Sequence, residues 1–230
     1  SMATGAAAQT MSTGNRFVTA LVEDGSGLIW FLKGEGTKLP PSINLSFRDK
    51  SFLSVRIGNK VYSNNDVVTG GMPPPDFMLN NGVNTKIGDT IETVWAETGF
   101  DIVQDVWLAS FTASAQVVYA VRVVNRGSGS LNAQAQYLLD VAPRGNETSQ
   151  ILTSTQYLAN WTQYPSGPLA VPSLFMSFEN APTSGSPGTG MTGTGYLTDT
   201  LAPAPMGLMP PSVLVSQLRD ALQARFTPET

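Results

Sequence analysis

Four acidic residues on two neighbouring apolar runs are the first candidates for chemistry in this sequence. Glu92 and Glu97 lie in one run, and Asp101 and Asp105 lie in the next. Both runs are predicted strands, so some of these carboxylates could share one face of a sheet. Glycoside hydrolysis needs two carboxyl groups about 5 to 10 Å apart, one as acid and the other as base or nucleophile. The alternative, which we favour, is that they are ordinary solvent-facing acids on half-exposed strands.

A second candidate is a cation site at the end of a later predicted strand. Asp140 closes the segment Tyr137-Leu138-Leu139-Asp140, and Glu147 follows after a short loop. Carboxylate oxygens of both residues could bind a cation, although the sequence has no calcium loop of the EF-hand type. An Asp that accepts backbone N–H groups at a strand end is the favoured alternative.

A group of aromatic residues is the third candidate. Tyr157, Trp161 and Tyr164 lie close together in the sequence and could form a platform on which sugars stack. Aromatic side chains more often belong to a core, where each buries a large apolar area. We expect Trp95 and Trp107 in the core, whereas both possibilities stay open for Trp161.

The composition excludes many other chemistries. The 230 residues include no Cys and no His. Disulfides, thiol catalysis, Ser-His-Asp triads, Cys/His zinc sites and His-ligated haem are therefore ruled out. We predict that the protein uses no cofactor.

The charge pattern bears on partners and location. The net charge is −4 and the 13 Lys and Arg residues form no cluster, whereas nucleic-acid binding needs a basic surface. No apolar run approaches the roughly 20 residues of a membrane helix. We therefore predict no nucleic-acid partner and no membrane insertion.

Only 13% of the residues are charged, about half the usual share. Such neutral polar surfaces are typical of extracellular and particle-forming β proteins, so we expect an extracellular or bacterial cell-surface location.

Short apolar runs separated by Gly, Pro and Asn predict an all-β protein built as one large antiparallel β-sandwich. Asp24-Gly25 predicts a hairpin turn, and residues 63–88 predict a long polar connection. Residues 91–141 predict a meander of four strands, in which 115–125 is apolar on both faces, as in a central strand. The predicted strands cover residues 16–22, 28–33, 43–47, 52–57, 60–62, 91–98, 100–109, 115–125, 131–141, 151–158 and 171–178.

Towards the C-terminus a mobile loop is predicted over residues 183–195, and then the period of the pattern changes. Four apolar residues recur at every fourth position: Leu214, Leu218, Leu222 and Phe226. With Ser212 as N-cap, this spacing predicts an amphipathic helix over 212–226. The predicted organisation is a flexible leader over 1–15 that begins with an expression remnant, a β-sandwich domain over 16–200, and a linker with a helix packed on the sandwich over 201–230.

Residues 91–178 also resemble a known family. The resemblance is carried by Phe100-Asp101-Ile102-Val103-Gln104, the valine-rich run 117–125 with its Gly-rich turn, Tyr137-Leu138-Leu139-Asp140, the Gly145-Asn146 loop and Trp161. These features resemble uncharacterised bacterial extracellular β-sandwich domains of the galactose-mutarotase-like supersandwich type. The resemblance implies a fold and a surface location. It implies no reaction, because the mutarotases use His in catalysis and this chain has none.

Three functions fit these observations. We favour a non-catalytic surface or secreted β-sandwich module for adhesion, assembly or carbohydrate binding, with a glycan or another protein as partner. A structural assembly protein of the phage or capsid type is the first alternative, and a glycan-active enzyme that uses carboxylates is the second. The oligomeric state stays open.

Overall fold

A computed structural model describes residues 10–34, 51–66, 74–110 and 115–138. It also describes strand segments at 151–153, 157–158, 162–164, 174–180, 189–196 and 213–215. The chain divides into two compact units. One comprises Ser1–Val68 and Pro73–Asp140, and the other comprises Thr69–Met72 and Val141–Thr230. The predicted domain over 16–200 spans parts of both units. Throughout the described residues the regular structure is β, as predicted.

The described residues of the first unit form three sheets with eleven strands in total. The hairpin sheet has the order β1-β2-β3, the central sheet β10-β9-β8-β7, and the companion sheet β11-β4-β5-β6. All neighbouring strands are antiparallel except β5 and β6. The strands are β1 (Thr10–Gly14), β2 (Val18–Glu23), β3 (Ile29–Lys33), β4 (Phe52–Ile57), β5 (Lys60–Ser63), β6 (Phe77–Met78), β7 (Val83–Ile87), β8 (Thr90–Glu97), β9 (Phe100–Ser110), β10 (Ala115–Asn125) and β11 (Ala133–Leu138).

One face of the central sheet, here called the inner face, packs against both other sheets. Because side chains alternate along a strand, Ile91 and Trp95 on β8 share this face. Trp95 belongs to a core cluster with residues of the companion sheet such as Leu53 and Val55. Ile91 belongs to a second cluster with Val22 and other residues of the hairpin sheet. The first unit is therefore a β-sandwich in which two small sheets form the second layer.

A row of polar residues crosses the inner face between the two apolar clusters. Asn84, Thr93 and Gln104 are cross-strand neighbours and are buried. Thr93 Oγ1 donates to Asn84 Oδ1 at 2.8 Å. Gln104 Nε2 donates to the carbonyl oxygen of Gly27 at 2.8 Å, and the hydroxyl of Tyr119 donates to Gln104 Oε1 at 3.2 Å. Buried polar groups are costly unless they are paired, so this row ties the hairpin sheet to the central sheet.

The turn between β2 and β3 closes over this row. The indole nitrogen of Trp95 donates to Gly25 O at 3.1 Å, and the backbone N–H of Gly82 donates to the same oxygen at 2.8 Å. Gly25 and Gly27 have φ values of 79° and 63°, which confirms the predicted hairpin and explains its glycines. A Cβ atom on Gly27 would lie 2.5 Å from Trp95 Cζ2, so only glycine fits there.

Two predictions about strand order are wrong. The fourth strand of the predicted meander, β11, pairs with β4 in the companion sheet, and β10 lies at the edge of the central sheet. The alternation along β11 is as predicted, since Tyr137 packs against the first core cluster. Alternation determines which face of a strand is buried, but not which strand lies beside it.

Two segments that were predicted to lack regular structure contain strands. The predicted leader includes β1, whose Thr13 Oγ1 donates to the carbonyl oxygen of Asp89 at 2.8 Å. The predicted polar connection over 63–88 includes β6 and β7. These strands have two to five residues, which is too few to show a clear alternation of apolar and polar residues in the sequence. The predicted strand at 43–47 lies outside the described residues.

In the second unit the described residues form two sheets, with the orders β13-β12-β15-β16 and β14-β17. Two expectations are corrected. The predicted strand over 151–158 is two paired strands. Part of the predicted loop over 183–195 forms β16. Within the predicted helix over 212–226, only Val213–Val215 is described, and it forms a short strand, consistent with its β-branched residues. Residues 216–226 lie outside the described residues, so the helix stays a prediction. The strands are β12 (Ile151–Thr153), β13 (Tyr157–Leu158), β14 (Thr162–Tyr164), β15 (Leu174–Asn180), β16 (Thr189–Tyr196) and β17 (Val213–Val215).

The contact between Gly27 and Trp95 can be tested with a matched pair of glycine variants. Gly58 also has a positive φ, but no atom lies within 4 Å of the position that its Cβ would occupy. Gly58→Ala should therefore cost only the backbone strain of about 1–2 kcal/mol. Gly27→Ala should cost about 1–3 kcal/mol more, because the methyl group overpacks the core against Trp95. Equal losses in urea unfolding would show that this contact contributes nothing.

Candidate functional site

The face of the central sheet opposite the core, here called the outer face, brings together three of the four predicted acids. Glu92 and Asp105 are directly opposite each other on β8 and β9. Side chains alternate between the two faces along a strand, so residues separated by an even number of positions share a face. Asp101 therefore lies on the same face as Asp105 on β9. Glu97 lies on the same face as the buried Trp95 on β8, which is the inner face. The prediction that acids share a sheet face is therefore correct for Glu92, Asp101 and Asp105.

Arginine side chains hold all three of these acids. Arg122 on β10 forms an ion pair with Glu92, and its Nε lies 3.3 Å from Asp105 Oδ2. Arg126 binds Asp101 with two nitrogens, of which Nε donates to Oδ2 at 2.6 Å. Like charges directly opposite each other destabilise a sheet, and Arg122 offsets this repulsion between Glu92 and Asp105.

This arrangement is unsuited to glycoside hydrolysis. A hydrolase needs one carboxyl group that gives up a proton and a second that attacks or activates water, both facing a bound sugar. Here each carboxylate is engaged by a guanidinium, and Asp101 is itself buried. The structure shows a depression of about 130 Å³, lined by Arg56, Gly58, Asn132 and Gln134. That is well below the roughly 300–1,000 Å³ of small-molecule sites, and it is lined by none of the three acids.

The other predicted site residues cannot be assembled into a site. Trp161, Asp140 and Glu147 lie outside the described residues. Tyr157 lies on β13 and Tyr164 on β14, so their backbones belong to different sheets of the second unit. The sugar platform and the cation site therefore stay predictions. Within the described ranges, no three metal-ligating side chains lie together, and no helix is long and apolar enough to cross a membrane.

The feature that sequence reasoning missed is the side of β10 that faces away from β9, here called the β10 edge, which no described strand covers. The backbone N–H of Arg126 donates to Gly99 O just beyond the ladder of β10 and β9. Hydrogen-bonded pairs recur at every second residue of an antiparallel ladder, so the even-numbered residues of β10 bond to β9. The N–H and C=O groups of the odd-numbered residues point away from β9: Ala115, Val117, Tyr119, Val121, Val123 and Asn125. No described strand pairs with them.

In the part of the chain that the structure describes, the β10 edge lacks the devices that usually protect an edge strand. Natural edges are short, bulged, or guarded by Pro and Lys. β10 has eleven residues, contains neither Pro nor Lys, and keeps an unbroken register with β9 along its whole length. Its single charged side chain is Arg122, which is held by acids of its own sheet. The opposite edge of the sheet is β7, which has only five residues and includes Lys86.

Apolar side chains lie beside the edge on both faces. On the inner face, Val121 and Val123 pack against the first core cluster, while Val117 and Tyr119 pack against the second. All four are only partly buried. On the outer face, Val124 is 40% exposed. A strand that docked on this edge would therefore meet apolar side chains as well as unpaired backbone groups.

Comparison with known proteins gives no assignment: no protein-family model, curated protein or solved structure matches the chain. The resemblance to supersandwich domains therefore stays a prediction.

Two tyrosines on the inner face beside the β10 edge, Tyr119 and Tyr137, have hydroxyl groups with raised pKa values. The rings of Tyr119 and Tyr137 have centroids 4.2 Å apart. Burial raises the pKa of both hydroxyls, and the neighbouring Tyr137 raises the pKa of Tyr119 further. The hydroxyl of Tyr119 bonds to Gln104, whereas the buried hydroxyl of Tyr137 has no partner in the described part of the chain.

Tyr137→Phe should leave stability unchanged or raise it by about 1 kcal/mol near neutral pH, because it removes an unpaired buried hydroxyl. In the unfolded chain a tyrosine loses its proton near pH 10. The folded state resists that loss because its pKa is raised, so stability falls as the pH rises above about 10. This alkaline loss should be smaller in the variant. Urea unfolding of both proteins below and above pH ~10 measures this loss of stability. An equal loss in both proteins would show that Tyr137 does not cause it.

Proposed function

We propose that the protein is a non-catalytic assembly module whose copies join through the free edge of β10. The observation that carries the proposal is the row of outward-facing N–H and C=O groups along eleven residues, for which the described strands offer no partner. An exposed regular edge is a template for a strand from another chain. Adding a strand in this way is a recurrent mode of protein recognition, in which the main-chain hydrogen bonds provide the affinity.

The composition of the edge supports the same proposal. β10 is rich in valine and includes Tyr119, and β-branched and aromatic residues are favourable in paired strands. The one cation, Arg122, is neutralised within its own sheet, so a docking strand meets no uncompensated charge. The ion pairs of the outer face thus act as scaffolding beside the edge in this proposal.

Replacing Val121 with proline tests the proposal. Its N–H points to the free edge, so proline removes an outward donor and blocks docking without removing a hydrogen bond to β9. Val121→Ala is the matched control, because it loses the same packing and keeps the N–H. We expect the wild type and Val121→Ala to associate in sedimentation equilibrium, and Val121→Pro to associate at least tenfold more weakly.

A second pair of variants covers the case in which the proline prevents folding. Ala120→Lys places a charge in the middle of the edge, a device that natural edges use. Val83→Lys places the same charge on β7, where Val83 is 64% exposed. Association should weaken in the first variant and persist in the second. A wild type that stays at its chain mass of 24.4 kDa at every concentration, or equal association of all variants, would overturn the proposal.

A further inference from the structure

We infer that the strand which docks on the β10 edge is β10 of a second copy, antiparallel to the first, with a two-fold axis beside Ala120. This inference rests on the proposed function and names its partner and register. Antiparallel pairing of a strand with itself is two-fold symmetric, so it produces a closed dimer in which both copies use the same surface. The two central sheets would become one continuous sheet of eight strands, since each has four.

The backbone limits the possible registers. The outward-facing groups belong to odd-numbered residues, so a hydrogen-bonded pair must join an odd residue to an odd residue. Ala120 is the middle residue of β10 (Ala115–Asn125), and full overlap about it satisfies this condition. Tyr119 then pairs with Val121 of the second copy, and all outward-facing groups of both strands find partners. A shift by one residue would place inner-face side chains beside outer-face ones.

The side chains of β10 are complementary to themselves in this register. On the inner face, Tyr119 lies opposite Val121 of the second copy, and Val117 lies opposite Val123 of the second copy. Each pair occurs twice because of the symmetry. Aromatic–β-branched pairs are among the favourable cross-strand pairs. These four residues already line the two core clusters, so pairing would continue both clusters into the second copy.

Charge also permits this pairing. Arg122 lies opposite Val118 of the second copy, and the two Arg122 residues are about 14 Å apart along the strands. Each is paired with Glu92 and Asp105 of its own sheet. No like charges therefore face each other across the junction.

The other candidate strand is β7, at the opposite edge of the central sheet. It has five residues, so most of the outward-facing groups of β10 would stay unpaired. Lys86 on β7 also donates from Nζ to the carbonyl oxygen of Ser12 at 2.8 Å, which holds a charge beside that edge. Pairing of β10 with β7 would be a head-to-tail contact, which produces closed rings or open filaments. In neither case would Ala120 face Ala120 of a second copy.

Single-cysteine variants test the two-fold axis directly, because the chain contains no Cys. In the inferred register Ala120 faces Ala120 of the second copy in a pair without hydrogen bonds, where the Cα atoms are about 4.5 Å apart. That distance allows a disulfide. Ala120→Cys should therefore form a covalent dimer almost completely under mild oxidation.

Val124→Cys is the control. Val124 is on the same strand and face and is 40% exposed, but its Cα would lie about 27 Å from its symmetry mate. We expect little cross-linking in this variant. The assembly proposal stands if the wild type associates and Val121→Pro weakens that association. The two-fold register is nevertheless wrong if Ala120→Cys then fails to cross-link, or if Val124→Cys cross-links equally well. Absence of association in the wild type would overturn both.

Discussion

The structure of the first unit depends on how the β2–β3 turn is held against Trp95 and Gln104. Two small sheets share one face of the central sheet, and their junction would expose backbone groups to an apolar core unless those groups were paired. Trp95 and Gln104 provide the pairing through Gly25 O and Gly27 O. Glycine is required because the turn needs positive φ values and because the indole ring leaves no room for a Cβ at Gly27. A core of two apolar clusters divided by a polar row follows from this constraint.

The same contacts determine what the outer strand of the sheet can do. Gln104 accepts a hydrogen bond from Tyr119, so the polar row extends from the hairpin turn to β10. The edge strand is thus anchored from its inner face by a hydrogen bond and by two core clusters. Arg122 anchors it from the outer face through Glu92 and Asp105. A strand held from both faces presents its free backbone groups in a fixed geometry, which lowers the entropic cost of docking another strand.

Local patterns predicted much of this fold. Alternation located most long strands, and Asp24-Gly25 located the hairpin, because both depend on residues close in sequence. Which strands are neighbours depends on packing between distant residues, so the position of β11 beside β4 and of β10 at an edge was not predictable. The acids are an intermediate case. The shared face of Glu92, Asp101 and Asp105 follows from the alternation of side chains along each strand. Their pairing with Arg122 and Arg126 depends on the register between three strands.

Residue-resolved amide hydrogen exchange of β10 by NMR, at low and high protein concentration, tests the central claim most directly. In the dilute protein, amides of the even residues such as Ala120 and Arg122 should exchange slowly, because they bond to β9. Amides of Val117, Tyr119 and Val121 should exchange fast and become protected as concentration rises. Slow exchange of these odd-numbered amides in the monomer, or exchange that does not change with concentration, would contradict assembly through a free β10 edge.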